Sequence, residues 1–211
     1  VAVDACGHVH GDDGQPARIY RVSFSGERAY EIAVRADRGD ALVRRLMALG
    51  RDLGISPYGT EALGVMRIEK GHPAGNELNG QTTAYDLGLH RLVSDREDFV
   101  GAAMARRAAL NDPSRQRLVG LRPVAPTDRL YAGAHLLPPG VKPAAADDQG
   151  FVTSVAWSPT LGYWIGLALL ARGPERHGER LRALDLLRGH DTAVEVCDPV
   201  FLDPEGVRLR G

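Results

Sequence analysis

The sequence has few of the features that mark specialised chemistry. Only two cysteines occur in 211 residues, Cys6 and Cys197, at opposite ends of the chain. One bridge between them is possible, but the sparse usage fits unpaired thiols in a reducing compartment better. Net charge is almost absent, with 26 basic against 27 acidic residues. No long-range field therefore favours nucleic acid or an anionic membrane, and no basic stripe carries interleaved aromatics. No apolar run approaches the ~20 residues of a membrane-spanning helix. The opening VAVDACGHVHGDDGQP has neither the basic flank nor the apolar core of a signal peptide. These absences make a cytoplasmic protein the expectation, with neither nucleic acid nor membrane as a partner. The missing initiator Met points to a fragment or a processed chain.

Catalytic signatures are missing too. The sequence contains no P-loop, GxGxxG, GxSxG, HExxH or paired CxxC motif. Its 7 histidines are scattered without metal spacing. His8 and His10 lack a third ligand nearby, so no metal is expected. Cys197 lies in an alternating apolar run and reads as a small buried hydrophobe.

What is present is an ordinary globular composition, 44% hydrophobic and 25% charged, enough for one or two domains. Residues 1–16 are polar and Gly-rich, and read as a loop or a disordered lead-in. From Arg18 the pattern alternates through Tyr20, Val22 and Phe24, breaks at Ser25-Gly26-Glu27-Arg28, and resumes with Tyr30, Ile32 and Val34. Two period-2 runs around a short Gly-containing turn predict a hairpin. Leu42, Leu46, Leu49 and Leu53 then recur at helical spacing after a start near Asp37 to Asp40. A second helix is expected from Ser56-Pro57, an N-cap residue before Pro, ending at Glu69-Lys70-Gly71. The turn-rich stretch 72–83 reads as a surface or cleft-lining loop, and 99–109 has helical propensity.

Composition changes near 113–116. Short β-rich runs follow at 118–121, 135–137, 150–157, 163–171, 180–186 and 192–196, separated by Pro and Gly, with a loop at 138–148. Six such strands predict a small antiparallel barrel or sandwich. The fold class is therefore α+β: a hairpin-plus-helices part over 1–115, then a six-stranded antiparallel β-barrel over 116–211.

The position that invites a functional reading is Glu69. A carboxylate at a helix C-terminus opposes the helix dipole, which favours cations there by about 0.3–1 kcal/mol. An ion pair with Lys70 or Arg67, or a solvated helix end, would account for it. So would a ligand: a carboxylate accepts two parallel N–H bonds, and the amino-pyrimidinone edge of a guanine or pterin offers that pair of donors.

Several ordered motifs carry a resemblance. ARIYRVSFSGERAYEI, GISPYGTEALGVMRIEKG, QTTAYDLGL, DFVG and GFVTSVAWSPTLGYWIGLALL are similar to the folate-binding family of the glycine-cleavage T protein, the aminomethyltransferases, from about Arg18 to Gly211. PYGTEAL, SPTLG and DPVFLDPEGVRLRG are most similar to its branch in the alpha subunits of heterotetrameric sarcosine oxidases. The resemblance implies that Glu69, in Met66-Arg67-Ile68-Glu69-Lys70-Gly71, binds the pterin of tetrahydrofolate. It implies folate contacts for Arg96, just before Asp98-Phe99-Val100-Gly101, although the spacing from Glu69 is shorter than in relatives. Phe24 and Tyr30, in and after the Phe24-Ser25-Gly26-Glu27 turn, and Arg208, near the chain end, are the further folate-binding candidates. No catalytic residue is carried over, because the family's catalytic Asp lies in an upstream half that this chain does not contain.

The activity implied is capture of the one-carbon unit from oxidised sarcosine as methylenetetrahydrofolate, within a larger oxidoreductase. The beta, gamma and delta subunits would be partners, and NAD and flavins would lie on missing or partner regions. The isolated chain would be inactive. An aminomethyltransferase, a dimethylglycine oxidase or N-methylglutamate dehydrogenase module, and a non-catalytic subunit-packing domain, are the alternatives. The K-G-C-Y-x-G-Q motif of relatives that serve iron–sulfur protein maturation is replaced by Lys70-Gly71-His72-Pro73-Ala74-Gly75-Asn76, which argues against that branch.

Overall fold

The computed structural model describes residues 6–10, 16–96 and 98–210. Contacts divide them into two compact units. One comprises the described residues up to Met66 together with those from Glu205 onward, and the other runs from Arg67 to Pro204. The division falls within a helix and differs from the compositional change near 113–116.

The first unit holds a three-stranded antiparallel sheet, β1 (Cys6–His10), β2 (Pro16–Tyr20) and β3 (Glu31–Ala33), in that order. The expected hairpin is present, with Ile19 opposite Ile32 and Tyr20 opposite Glu31. Two features differ from expectation. The first strand ends at Tyr20 rather than Phe24, because the buried Ser23 Oγ accepts the Gly26 N–H at 3.0 Å and turns the chain. A hydroxyl that captures a backbone donor competes with the strand ladder. The loop expected over 1–16 contains β1, which pairs along the free edge of β2 through its backbone. The side chains of Cys6, His8 and His10 lie outside the described residues.

Helix α1 (Gly39–Leu49) has the predicted leucine spacing, and a 3-10 turn at Arg51–Leu53 closes on Gly54. None of its residues is buried. Helix α2 (Thr60–Glu69) begins later than the Ser56-Pro57 signal, its first turn closed by Leu63 N–H on Gly59 C=O at 3.2 Å. The capping reading is therefore corrected: Ser56 and Pro57 precede the helix without starting it.

In the second unit the expected helix over 99–109 is reduced to one turn, α3 (Ala102–Ala105), and a 3-10 turn at Ala108–Leu110. The barrel follows: β4 (Gln116–Pro123), β5 (His135–Leu137), β6 (Gly150–Ser158), β7 (Tyr163–Ala171), β8 (Arg180–Asp185) and β9 (His190–Cys197). All pairings are antiparallel in the order β4-β7-β6-β5-β8-β9, and β4 pairs with β9 to close the sheet. Closure leaves no free edge. Alternate residues point inward, so Val119, Leu121, Leu136, Val152, Leu170, Leu181, Val194 and Val196 form the core. Each such side chain contributes about 1.5–3 kcal/mol of burial free energy. The chain ends with α4 (Val207–Arg210), which belongs to the first unit.

Candidate functional site

Glu69 is the last residue of α2, and the helix stops there for reasons legible in the sequence. Gly71 adopts φ 71°, with its N–H on Ile68 C=O at 3.0 Å and the His72 N–H on Arg67 C=O at 2.9 Å. Those two bonds satisfy last-turn carbonyls in the manner of a Schellman stop. A Cβ on Gly71 would meet the Pro199 carbonyl oxygen at 2.5 Å, so both backbone and packing require glycine. A segment from far along the chain closes over this end. The N–H groups of Phe201 and Leu202 donate to Glu69 C=O at 2.9 and 3.0 Å, and Lys70 Nζ reaches the carbonyl and carboxylate of Asp203.

The Glu69 side chain is buried, with 7% of its surface accessible. Its Oε1 accepts a hydrogen bond from Ser158 Oγ at 2.5 Å. Ser158 is itself fully buried at the end of β6, and its hydroxyl oxygen accepts the Leu161 N–H at 3.0 Å. Neither cation expected from the sequence pairs with Glu69. Arg67 turns to Glu77 and Lys70 to Asp203. The ion-pair and solvated-end accounts of Glu69 are thereby corrected. A carboxylate offers about four acceptor positions, and among the described residues one donor reaches this one.

Sequence reasoning missed Glu77. The 72–83 segment is not simply surface: a 3-10 turn at Gly75–Glu77 buries Glu77 completely. Its Oε2 accepts from Arg67 Nη1 at 3.1 Å and from the Ala74 N–H at 2.9 Å. Its Oε1 accepts from Thr153 Oγ1 at 2.5 Å and Ser154 Oγ at 2.6 Å. Successive strand residues normally point to opposite faces. Here the register of β6 on β7 shifts between Val152 and Ser154, and this bulge aims both hydroxyls at one carboxylate. No local signal marks this position, because its hydroxyl partners come from β6, 76 and 77 residues away.

The other candidates are placed as follows. Arg96 is in the unit of Glu69, exposed, with Nε 3.5 Å from Asp98 Oδ1. Phe24, Tyr30 and Arg208 are in the first unit. Tyr30 is half exposed and its hydroxyl accepts from Arg28 Nε at 3.2 Å. Arg208, on α4, is not a loose tail: its Nη1 lies 3.1 Å from Glu27 Oε1, in the turn that carries Phe24. Trp164 packs against the barrel core, whereas Trp157 is 44% exposed. Burial pushes the Cys197 thiol up to about 12. Among the described residues no cluster of His, Cys, Asp and Glu could hold a metal ion, and no helix is long and apolar enough to cross a membrane.

Comparison with known proteins gives this arrangement a class. Residues 9–97 match the GCVT N-terminal domain, and residues 116–203 match the glycine cleavage T-protein C-terminal barrel domain. The chain belongs to the glycine cleavage T-protein family. Among its relatives, it is 45% identical over 192 residues to the sarcosine oxidase subunit alpha of Rhizobium meliloti, covering 90% of this chain and 20% of that protein. It is 35% identical over 187 residues to the aminomethyltransferase of Saccharopolyspora erythraea, covering 87% of this chain and 48% of that protein. The crystal structure of the glycine cleavage system aminomethyltransferase T from Bartonella henselae superposes with a TM-score of 0.73 at 25% identity, over 88% of this chain and 50% of that one. The chain thus spans about a fifth of the first relative's length and about half of the other two.

Proposed function

We propose that this chain is the downstream part of a folate module in a sarcosine oxidase alpha subunit, and that Glu69 holds the pterin of tetrahydrofolate. The observation that carries the reading is the state of Glu69: buried, without a cation, and bonded to one serine. Desolvating a carboxylate is costly unless its oxygens are matched by donors. The paired N–H groups of a pterin edge are the donors that complete this one, so tetrahydrofolate fits the residues present.

Ser158 fixes the carboxylate through Oε1, and the 199–203 segment fixes the backbone beneath it. Phe24 and Tyr30 are assigned ring contacts with the ligand, and Arg96 and Arg208 contacts with its anionic end. When bound, tetrahydrofolate supplies the nitrogens that take up a one-carbon unit from an oxidised N-methyl amine, giving methylenetetrahydrofolate in place of formaldehyde. This chain's part is binding, orientation and exclusion of water. The oxidation itself, with NAD and flavin, is assigned to other regions and to the beta, gamma and delta subunits of a cytoplasmic assembly. The greater identity with the sarcosine oxidase relatives than with the aminomethyltransferases supports this branch.

Titration calorimetry of the 211-residue chain with a stable reduced folate tests the assignment. Glu69→Ala is expected to weaken binding by on the order of tenfold to a hundredfold, the worth of hydrogen bonds to a charged group. In the assembled oxidase the same substitution is expected to shift the product from methylenetetrahydrofolate toward formaldehyde. Unchanged affinity together with an unchanged product ratio would falsify the role of Glu69.

A further inference from the structure

On the barrel, five side chains form an unbroken series of ring contacts that the folate reading does not use. Trp157 meets Trp164 edge to face, with centroids 6.2 Å apart and planes at 71°. The Arg129 guanidinium carbon lies 4.9 Å from the Trp164 ring centroid and 5.2 Å from that of Tyr131. Tyr131 in turn stacks flat on His190, 3.9 Å between centroids and 5° between planes. The Arg129 backbone is pinned as well, because the buried Thr192 donates its hydroxyl to the Arg129 carbonyl at 2.9 Å. Yet the residue is exposed, and among the described residues no carboxylate or other acceptor pairs with its guanidinium.

This is an unusual use of five side chains. An exposed arginine ordinarily retains its rotamer freedom, and ordering it has an entropic cost. Both rings lie within cation–π reach of the guanidinium, which engages it through π-faces and uses none of its N–H donors. The N–H fork of a guanidinium matches the two oxygens of a carboxylate. The cluster brings one guanidinium, a better match to a singly charged carboxylate than to a dianionic phosphate. Arg, Trp and Tyr are also the residues enriched where a few side chains dominate a protein interface. Trp157, 44% exposed, extends the patch with apolar area beside the charge.

We infer that Arg129, in cation–π contact with both Tyr131 and Trp164, anchors an acidic side chain of a polypeptide outside this chain. Most of the length of the sarcosine oxidase relatives lies outside the matched region, so such a polypeptide exists in them. Prior ordering of the arginine reduces what binding must still immobilise. The inference is independent of the folate assignment.

The chain has only two tryptophans, Trp157 and Trp164, and both lie in this cluster, so its intrinsic emission reports on the site directly. The 211-residue protein would be titrated with a capped tetraglutamate peptide, a capped tetraglutamine control and free glutarate. Tetraglutamate is expected to give a saturable emission change and tetraglutamine none. Arg129→Gln should weaken that response by on the order of tenfold. Arg129→Lys, which keeps the charge but loses the fork, should fall between, and Arg180→Gln, the same charge change at an exposed position on β8, should titrate like the parent. The inference is overturned if tetraglutamate leaves the emission unchanged, or if Arg129→Gln titrates like the parent. Equal losses in the Arg129 and Arg180 variants would reduce it to nonspecific charge attraction. Glutarate as effective as the peptide would assign the site to a small carboxylate and reject the docking role. Thermal unfolding of each variant separates these outcomes from misfolding.

Discussion

Glu69 and Glu77 are close in sequence, both buried in the same unit, and in opposite states. Glu77 has no accessible surface and accepts from an arginine, two hydroxyls and a backbone N–H. Glu69 accepts from one hydroxyl and has no cation. The difference separates two uses of a buried charge. A carboxylate whose lone pairs are filled by its own chain holds segments together, here the 74–77 turn, the end of α2 and the β6 bulge. One left mostly unfilled keeps its capacity for a ligand.

Breaking the first member should have the largest effect. Glu77→Ala would leave Arg67, 13% exposed, without its carboxylate partner. Removing one side of a buried pair costs about 3–5 kcal/mol, so urea denaturation should show a loss of that order. Glu69→Ala, deleting one neutral donor's bond, should change stability by about 1 kcal/mol or less. If the two substitutions are equally destabilising, the contrast fails. Gly71→Ala comes next: a left-handed non-glycine costs roughly 1–3 kcal/mol, and its Cβ would also displace Pro199. Under the proposed role of Glu69, the same variant is expected to weaken binding of a reduced folate, because the 199–203 segment closes on the Glu69 backbone.

Asp86 provides a third buried carboxylate. Burial would raise its carboxyl above the ordinary 3.8, but the Arg115 guanidinium, followed by the N–H and hydroxyl of Thr83, outweighs this and lowers it. A carboxyl lowered on folding contributes fully above its unfolded value, and the contribution is lost as pH falls through the folded one. Unfolding followed below about pH 4 should therefore show a steeper acid loss for the parent than for Asp86→Asn. Equal slopes would mean that Asp86 is not held in this way. The smallest effect concerns Cys197, a half-buried ionisable group that lacks a saturating partner. With its thiol pushed up to about 12, a Cys6→Ser variant should react with a disulfide reagent at pH 8 far more slowly folded than unfolded. Equal rates would show that the thiol is open to solvent.

The barrel was legible in the sequence because each strand carries its own alternation, and Pro and Gly mark the turns between them. Only limits moved, such as β4 extending to Gln116 and β9 to His190. The stop after Glu69 was legible because a left-handed Gly71 is a local requirement. The Ser56-Pro57 start was misread because a capping signal is a weak local preference, and the helix begins only at Thr60. Edge strand β1 was missed because its residues carry no clear apolar alternation and pair through the backbone. Glu77 escaped notice because Thr153 and Ser154 come from a distant strand and reach it only through the bulge.

By itself, then, the sequence determined the α+β class, the six barrel strands and a helix that ends on a carboxylate. These depend on periodicity and on single-residue backbone preferences, both short-range. Only the tertiary structure decided which carboxylate is saturated and which is open. Arg67 can reach Glu77 only after the 72–83 segment folds back, and Glu69 meets Ser158 only after the barrel closes. Which partner a buried charge receives is fixed by those distant contacts.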